Sequence, residues 1–230
     1  MASWLDAAVH DNAEWCDLVC RAHGLVTARD VRVWSCAVRT PPLYPDAITL
    51  RPGVRADEIL ARIDATAGGS VKDSYADVEL GSFGFRVLVH GTWMVYEKRA
   101  SRARPAPEGW SFLARPAEFA QWERAWRADG PGDILLPALL DVPNVAVVGR
   151  LVDVHVVAGA VVHHTDATIG LSNVFFLEGA AQTWTPLVAL VRSRWSERPI
   201  VGYEHGPSLN FATDAGFEPI GDLRIWVRDW

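Results

Sequence analysis

The sequence predicts an α/β (α+β) protein built on a mixed β-sheet, with an antiparallel meander and flanking helices. Three observations carry this expectation. Beyond residue 110 the hydrophobic pattern reads helix, three strands, helix, strand, helix, strand. From Pro199 to Trp230 a strand, a short helix, a Gly216-Phe217 break and a closing strand follow one another without a long loop. Half of the 230 residues are hydrophobic, which is ample material for a core.

Taken in order, Ala13–His23 reads as a helix with Trp15, Leu18 and Val19 on one side, stopped by Gly24. Val31–Val38 alternates as a strand until Thr40-Pro41-Pro42 breaks it, since proline cannot donate to a ladder. Ala47–Leu50 is a second short strand. Ala56–Ala67 places Ile59, Leu60 and Ile63 at helical spacing and is closed by Gly68-Gly69. Phe85–Val89 and Thr92–Tyr96 read as two strands around His90-Gly91. Pro116 opens a helix to Arg127 with Phe119, Trp122 and Trp126 on one stripe. Val145–Val152 and Val154–His163 are β-branched runs joined near Asp153, and with Leu171–Phe176 they form the meander. Trp184–Trp195 is a helix whose Pro186 fits only in the first turn. Ile200–Tyr203, the helix Pro207–Ala215 and the strand Leu223–Arg228 complete the chain.

Composition narrows the function. A net charge of −6 and a pI near 5.6 argue against nucleic acid or an anionic membrane as partner. The basic cluster Lys98, Arg99, Arg102 and Arg104, followed by Pro105 and Pro107, reads as a solvated linker over 99–109. It separates an N-terminal α/β region, 1–98, from a domain over 110–230. Val145–Val162 is interrupted by Arg150, Asp153 and His155 and is no membrane span. Met1–His10 lacks a cleavable signal, and three cysteines then fit a reduced, cytoplasmic protein. Eleven tryptophans are chiefly material for a core or an interface.

The first half echoes the end of the second. Gly84-Phe85 precedes Trp93-Met94-Val95 as Gly216-Phe217 precedes Trp226-Val227, and Ser74–Asp77 stands where Ser208–Thr213 stands later. Either a tandem arrangement or an extension packed on one domain accounts for it.

A helix that ends in Gly-Phe and runs into a β-hairpin resembles the finish of the GNAT acetyltransferase superfamily, and the element order after residue 110 is similar to that fold's core. The resemblance implies acetyl-CoA as co-substrate and a small-molecule or peptide amine as acceptor. It places the pantetheine arm along the backbone of Asn173, Val174 and Phe175. It also sets Gly179, Ala180 and Ala181 in the pyrophosphate-binding turn, where backbone N–H groups and a helix N-terminus favour an anion. The family's Gln/Arg at the head of that turn falls on Phe176, and the tyrosine that serves as general acid falls on Ala212. Glu204 and His205, at the carboxyl end of a parallel-type strand, are the candidates for the base. The rival reading is a non-catalytic GNAT-like module that binds a small ligand or forms a homodimer. A third class, an acyl-CoA-independent enzyme, would use His164 or Cys36. No metal is expected. His163 and His164 point to opposite faces of a strand, and Cys16, Cys20, His23 and Cys36 lack the close knuckle spacing of structural zinc sites.

Overall fold

A computed structural model describes residues 3–97, 106–128, 130, 132–177 and 183–229, so the basic cluster assigned to the linker lies outside the described residues. In chain order the elements are α1 (Trp4–Ala22), β1 (Thr27–Arg29), β2 (Val33–Cys36), β3 (Ala47–Thr49), α2 (Ala56–Leu60), β4 (Ser70–Asp73) and β5 (Phe85–Tyr96). Then come β6 (Trp110–Leu113), α3 (Pro116–Arg127), β7 (Val145–Val152), β8 (His155–His164), β9 (Ile169–Phe176) and α4 (Trp184–Arg194). The chain ends in β10 (Ile200–Glu204), α5 (Gly206–Asp214) and β11 (Glu218–Arg228). Contacts divide these into two units, Met1–Trp93 with Ile220–Trp230, and Met94–Pro219.

In the first unit the strand order is β1-β2-β3-β4-β11-β5. Helix α1 starts earlier than Ala13 because Ser3 caps it, accepting the Asp6 N–H, and Ala8 and Val9 extend the buried stripe. Helix α2 is shorter than the pattern predicts. Asp64 accepts both the N–H and the hydroxyl of Thr66, a local bond that competes with helix. Strand β11 pairs antiparallel with β4, setting Arg224 opposite Asp73 and Trp226 opposite Val71. Val33, Ala47, Ile59, Val71, Leu80, Phe85 and Trp226 form this unit's core. The predicted domain limits of 110–230 differ here: most of β11 belongs with the N-terminal residues, because its ladder partner is β4. The chain also closes on one eleven-residue strand rather than on a hairpin.

The two Gly-Phe steps are built alike. The Phe85 N–H donates to Leu80 O and the Gly84 N–H to Gly81 O; Phe217 and Gly216 repeat these spacings with Ala212 and Thr213. Both glycines have positive φ, 81° and 103°, which a side chain disfavours.

In the second unit β6, β7, β8 and β9 are antiparallel neighbours, β10 joins β9 in parallel, and Met94–Tyr96 of β5 lies beyond β10. The meander matches its predicted form, its first turn made by Asp153 at φ 55°. Strand β9 begins at Ile169, slightly earlier than predicted. Helix α3 has its predicted span, and Phe119, Trp122 and Trp126 stack along it at 6.2 and 6.1 Å between neighbouring rings. Five tryptophans (Trp15, Trp34, Trp93, Trp122 and Trp184) are fully buried, so core filling is their main use.

Helix α3 presses on the sheet at Gly159. A Cβ there would lie 2.1 Å from Trp122 Nε1 and 2.6 Å from Val148 O. Gly159→Ala is therefore expected to destabilise the protein by about 2 kcal/mol or more, since neither the indole nor the neighbouring strand can move away cheaply. A urea midpoint equal to that of the parent chain would refute this packing.

Candidate functional site

Strands β9 and β10 pair at only two rungs, Ile169–Ile200 and Gly170–Val201. Both strands continue, but the ladder does not. At Gly202 they still touch: a Cβ would stand 2.9 Å from Leu171 O, so only glycine fits. Strand β9 then bulges. Val161 of β8 faces Ser172 and Gly159 faces Phe175, which leaves Asn173 and Val174 together opposite Ala160. Asn173 takes φ 54°, a left-handed conformation that Asn tolerates better than most residues. A bulge bends its strand and re-aims the backbone. The burial pattern follows: Ile169 to Leu171 are buried, and Ser172 to Phe176 are only half-buried.

Glu204 ends β10 on the other side of this parting. It lies three residues past the last rung, as Asn173 does on β9. The arrangement thus brings Asn173, Val174, Phe175 and Glu204 to one end of the β9–β10 pair, the carboxyl end at which open parallel strands gather sites. Among the described residues no cation is ion-paired with the Glu204 carboxyl. Burial pushes it up to about 7, opposed only by the His205 backbone N–H. A lone carboxyl in such surroundings can accept a proton near neutral pH.

His205 is placed differently. It is the N-cap of α5, its side chain makes no cap bond, and it is exposed beside Gly206 at φ 55°. Gly179, Ala180 and Ala181 lie outside the described residues. Just after them Trp184 opens α4. It is fully buried, with Phe176 and Phe217 rings at 6.0 and 5.3 Å, and its Nε1 has no hydrogen-bond partner among the described residues. Ala212, at the family's tyrosine position, is fully buried on α5.

Elsewhere, His163 is buried with Asn144 Nδ2 at 2.8 Å from its Nε2, whereas the His164 ring lies 5.2 Å from Trp195. Cys16, Cys20 and Cys36 are free and buried, and burial raises the thiols of Cys16 and Cys20. Among the described residues no three His, Cys, Asp or Glu are grouped to hold a metal ion. Sequence reasoning missed Gly202 and the left-handed Asn173. Glycine and asparagine were the visible signals, but neither marks a bulge without knowledge of its neighbours.

No family profile matches the chain, and no curated protein does. Solved structures do. A GCN5-related N-acetyltransferase from Kribbella flavida is 13% identical, with 96% of this chain and 95% of that one covered and a TM-score of 0.58. A GNAT-family protein from Novosphingobium aromaticivorans is 12% identical over 94% and 96% of the two chains, with a TM-score of 0.54. The chain has the GNAT fold. A GCN5-related N-acetyltransferase-like protein from Streptococcus suis extends the likeness, at 12% identity, 91% and 92% coverage and a TM-score of 0.51. At such identities the likeness is one of fold. Within the GNAT fold, the meander, the parallel step from β9 to β10 and the helix between them stand in the order the sequence predicted.

Proposed function

We propose that this protein transfers an acetyl group from acetyl-CoA to the amine of a small-molecule or peptide acceptor, with Glu204 as the base. The observation that carries the proposal is the Glu204 carboxyl, without a cation partner among the described residues and pushed up to about 7, at the level of the β9 bulge where the parallel ladder has ended. In this reading the backbone of Asn173, Val174 and Phe175 lines the pantetheine arm. Gly179, Ala180 and Ala181 meet the pyrophosphate ahead of the α4 N-terminus. The acceptor nitrogen bonds to the acetyl carbon, the C–S bond breaks, and Glu204 takes the proton that the nitrogen gives up. With Ala212 apolar and buried, the departing thiolate takes its proton from water, as its ordinary pKa of about 8.5 allows. His205 remains a candidate for the same proton transfer. Three buried, free thiols support a reducing, cytoplasmic setting.

Acetyl-CoA is expected to raise the melting temperature. A ligand that binds only the folded state adds about 2.7 kcal/mol at a hundredfold excess over its Kd. The absence of any shift at millimolar acetyl-CoA would overturn the proposal. Phe176 and Ala212, which replace the family's polar residues, favour a second reading, a non-catalytic binding or dimerisation module. A thermal shift with no thiol release across an amine panel would select it.

A further inference from the structure

Away from the β9–β10 parting, the second unit carries a cavity of about 530 Å³ between α3 and the β7–β8 end of the meander. Its volume falls within the usual range of small-ligand sites. Ala125, Val156 and Leu177 supply apolar wall, and Gln121, Arg124 and His155 supply polar groups. Leu177 is 54% exposed, a large apolar side chain left at the opening. Arg124 has no carboxylate partner among the described residues. Its neighbours on α3 are already matched, because Arg127 pairs with Glu123 through both carboxylate oxygens. Among the described residues the cavity therefore sets one guanidinium without a carboxylate partner beside an apolar wall, with an amide and an imidazole at hand.

We infer that this cavity binds an amphipathic carboxylate, a molecule with one carboxylate head and a short apolar tail. The guanidinium fork matches a carboxylate with two parallel N–H donors, and Gln121 can add a third. Arg124, the one arginine among the described lining residues, neutralises a monoanion fully and a phosphate dianion only in part. Val156 and Leu177 give an alkyl tail the surface that water leaves. The inference does not depend on acetyl transfer, and its readout is direct binding.

Octanoate is the probe, titrated into the full chain by calorimetry, with octylamine and octyl phosphate as comparisons. Octanoate is expected to bind one to one, at least tenfold more tightly than either comparison. Arg124→Ala should weaken it about tenfold or more, as loss of a charge-assisted hydrogen bond does. Ala125→Trp, which fills the cavity, should abolish it while circular dichroism stays unchanged. Absence of saturable octanoate binding at millimolar concentration would overturn the inference. So would equal affinity for octylamine, tighter binding of octyl phosphate, or an Arg124→Ala affinity equal to the parent's. Arg124 is exposed, so that variant tests the site without touching the core.

Discussion

Glu204→Gln is expected to lower acetyl transfer by about 10²–10⁴-fold, the usual worth of a positioned general base, and at the same time to make the protein more stable above neutral pH. The second effect follows from linkage. The Glu204 carboxyl stands near 7 in the folded chain, against an ordinary value of 4.5. Between these values the folded state binds more protons than the unfolded state, so stability falls as pH rises through the window. Above it the penalty is complete. For a half-buried group it is on the order of 1–2 kcal/mol, and glutamine, which cannot ionise, removes it. Two curves check the idea: the wild-type rate should climb with pH through about 7, and the variant's gain in melting temperature should be larger at pH 8 than at pH 5. Equal transfer rates for parent and variant would remove Glu204 from the chemistry. This opposition of activity and stability is what a site held in an unfavourable state displays.

Arg224→Ala should destabilise the protein by about 3 kcal/mol or more. Asp73 is completely buried, and the guanidinium reaches its Oδ2 from Nε and Nη2 at 3.1 and 3.0 Å while also donating to Val78 O. Its Cζ lies 5.0 Å from the Trp226 ring centroid, so packing is lost along with charge. Without arginine the carboxylate keeps, among the described residues, the backbone N–H groups of Asp77 and Val78. Burial already raises this carboxyl, and removing the cation raises it further. The folded variant then holds a proton that the unfolded chain releases, so its deficit should grow as pH rises. Adding Asp73→Asn should recover part of the loss. Chemical denaturation at two pH values decides the matter, and an unchanged midpoint for Arg224→Ala would show that the pair is structurally idle.

Where side chains alternate or recur with clear contrast, the sequence was legible. Helix α3 and the β7–β8 hairpin have their predicted form because Phe119, Trp122 and Trp126 mark one period and the valines of β7 and β8 the other. Strand β4 went unseen for the opposite reason. Val71, Lys72 and Asp73 are all buried, and two polar residues in a covered strand erase the pattern. Strand β5 was read as two pieces because His90-Gly91 looks like a turn, although Gly91 is buried inside one continuous strand. At the site, Glu204 could be chosen from its residue type and its place at a strand end. The surroundings that raise its carboxyl could not, since they come from tertiary burial. The bulge at Asn173 depends on a mismatch of rungs with β8, a relation between strands that neither strand carries alone.

The placement of β11 also sets an order of events during synthesis. Residues 220–228 emerge long after β4, yet they flank it. Until then β4 is an open edge, paired through β3 on one side only. Unpaired edges invite other chains to add on, and a lysine in mid-strand discourages it. Lys72 occupies that position, and in the finished protein its Nζ donates to Asn12 Oδ1 at 2.6 Å. One ammonium group thus has two duties: on an unfinished chain it guards an edge against strangers, and in the folded protein it is buried and bonded to helix α1.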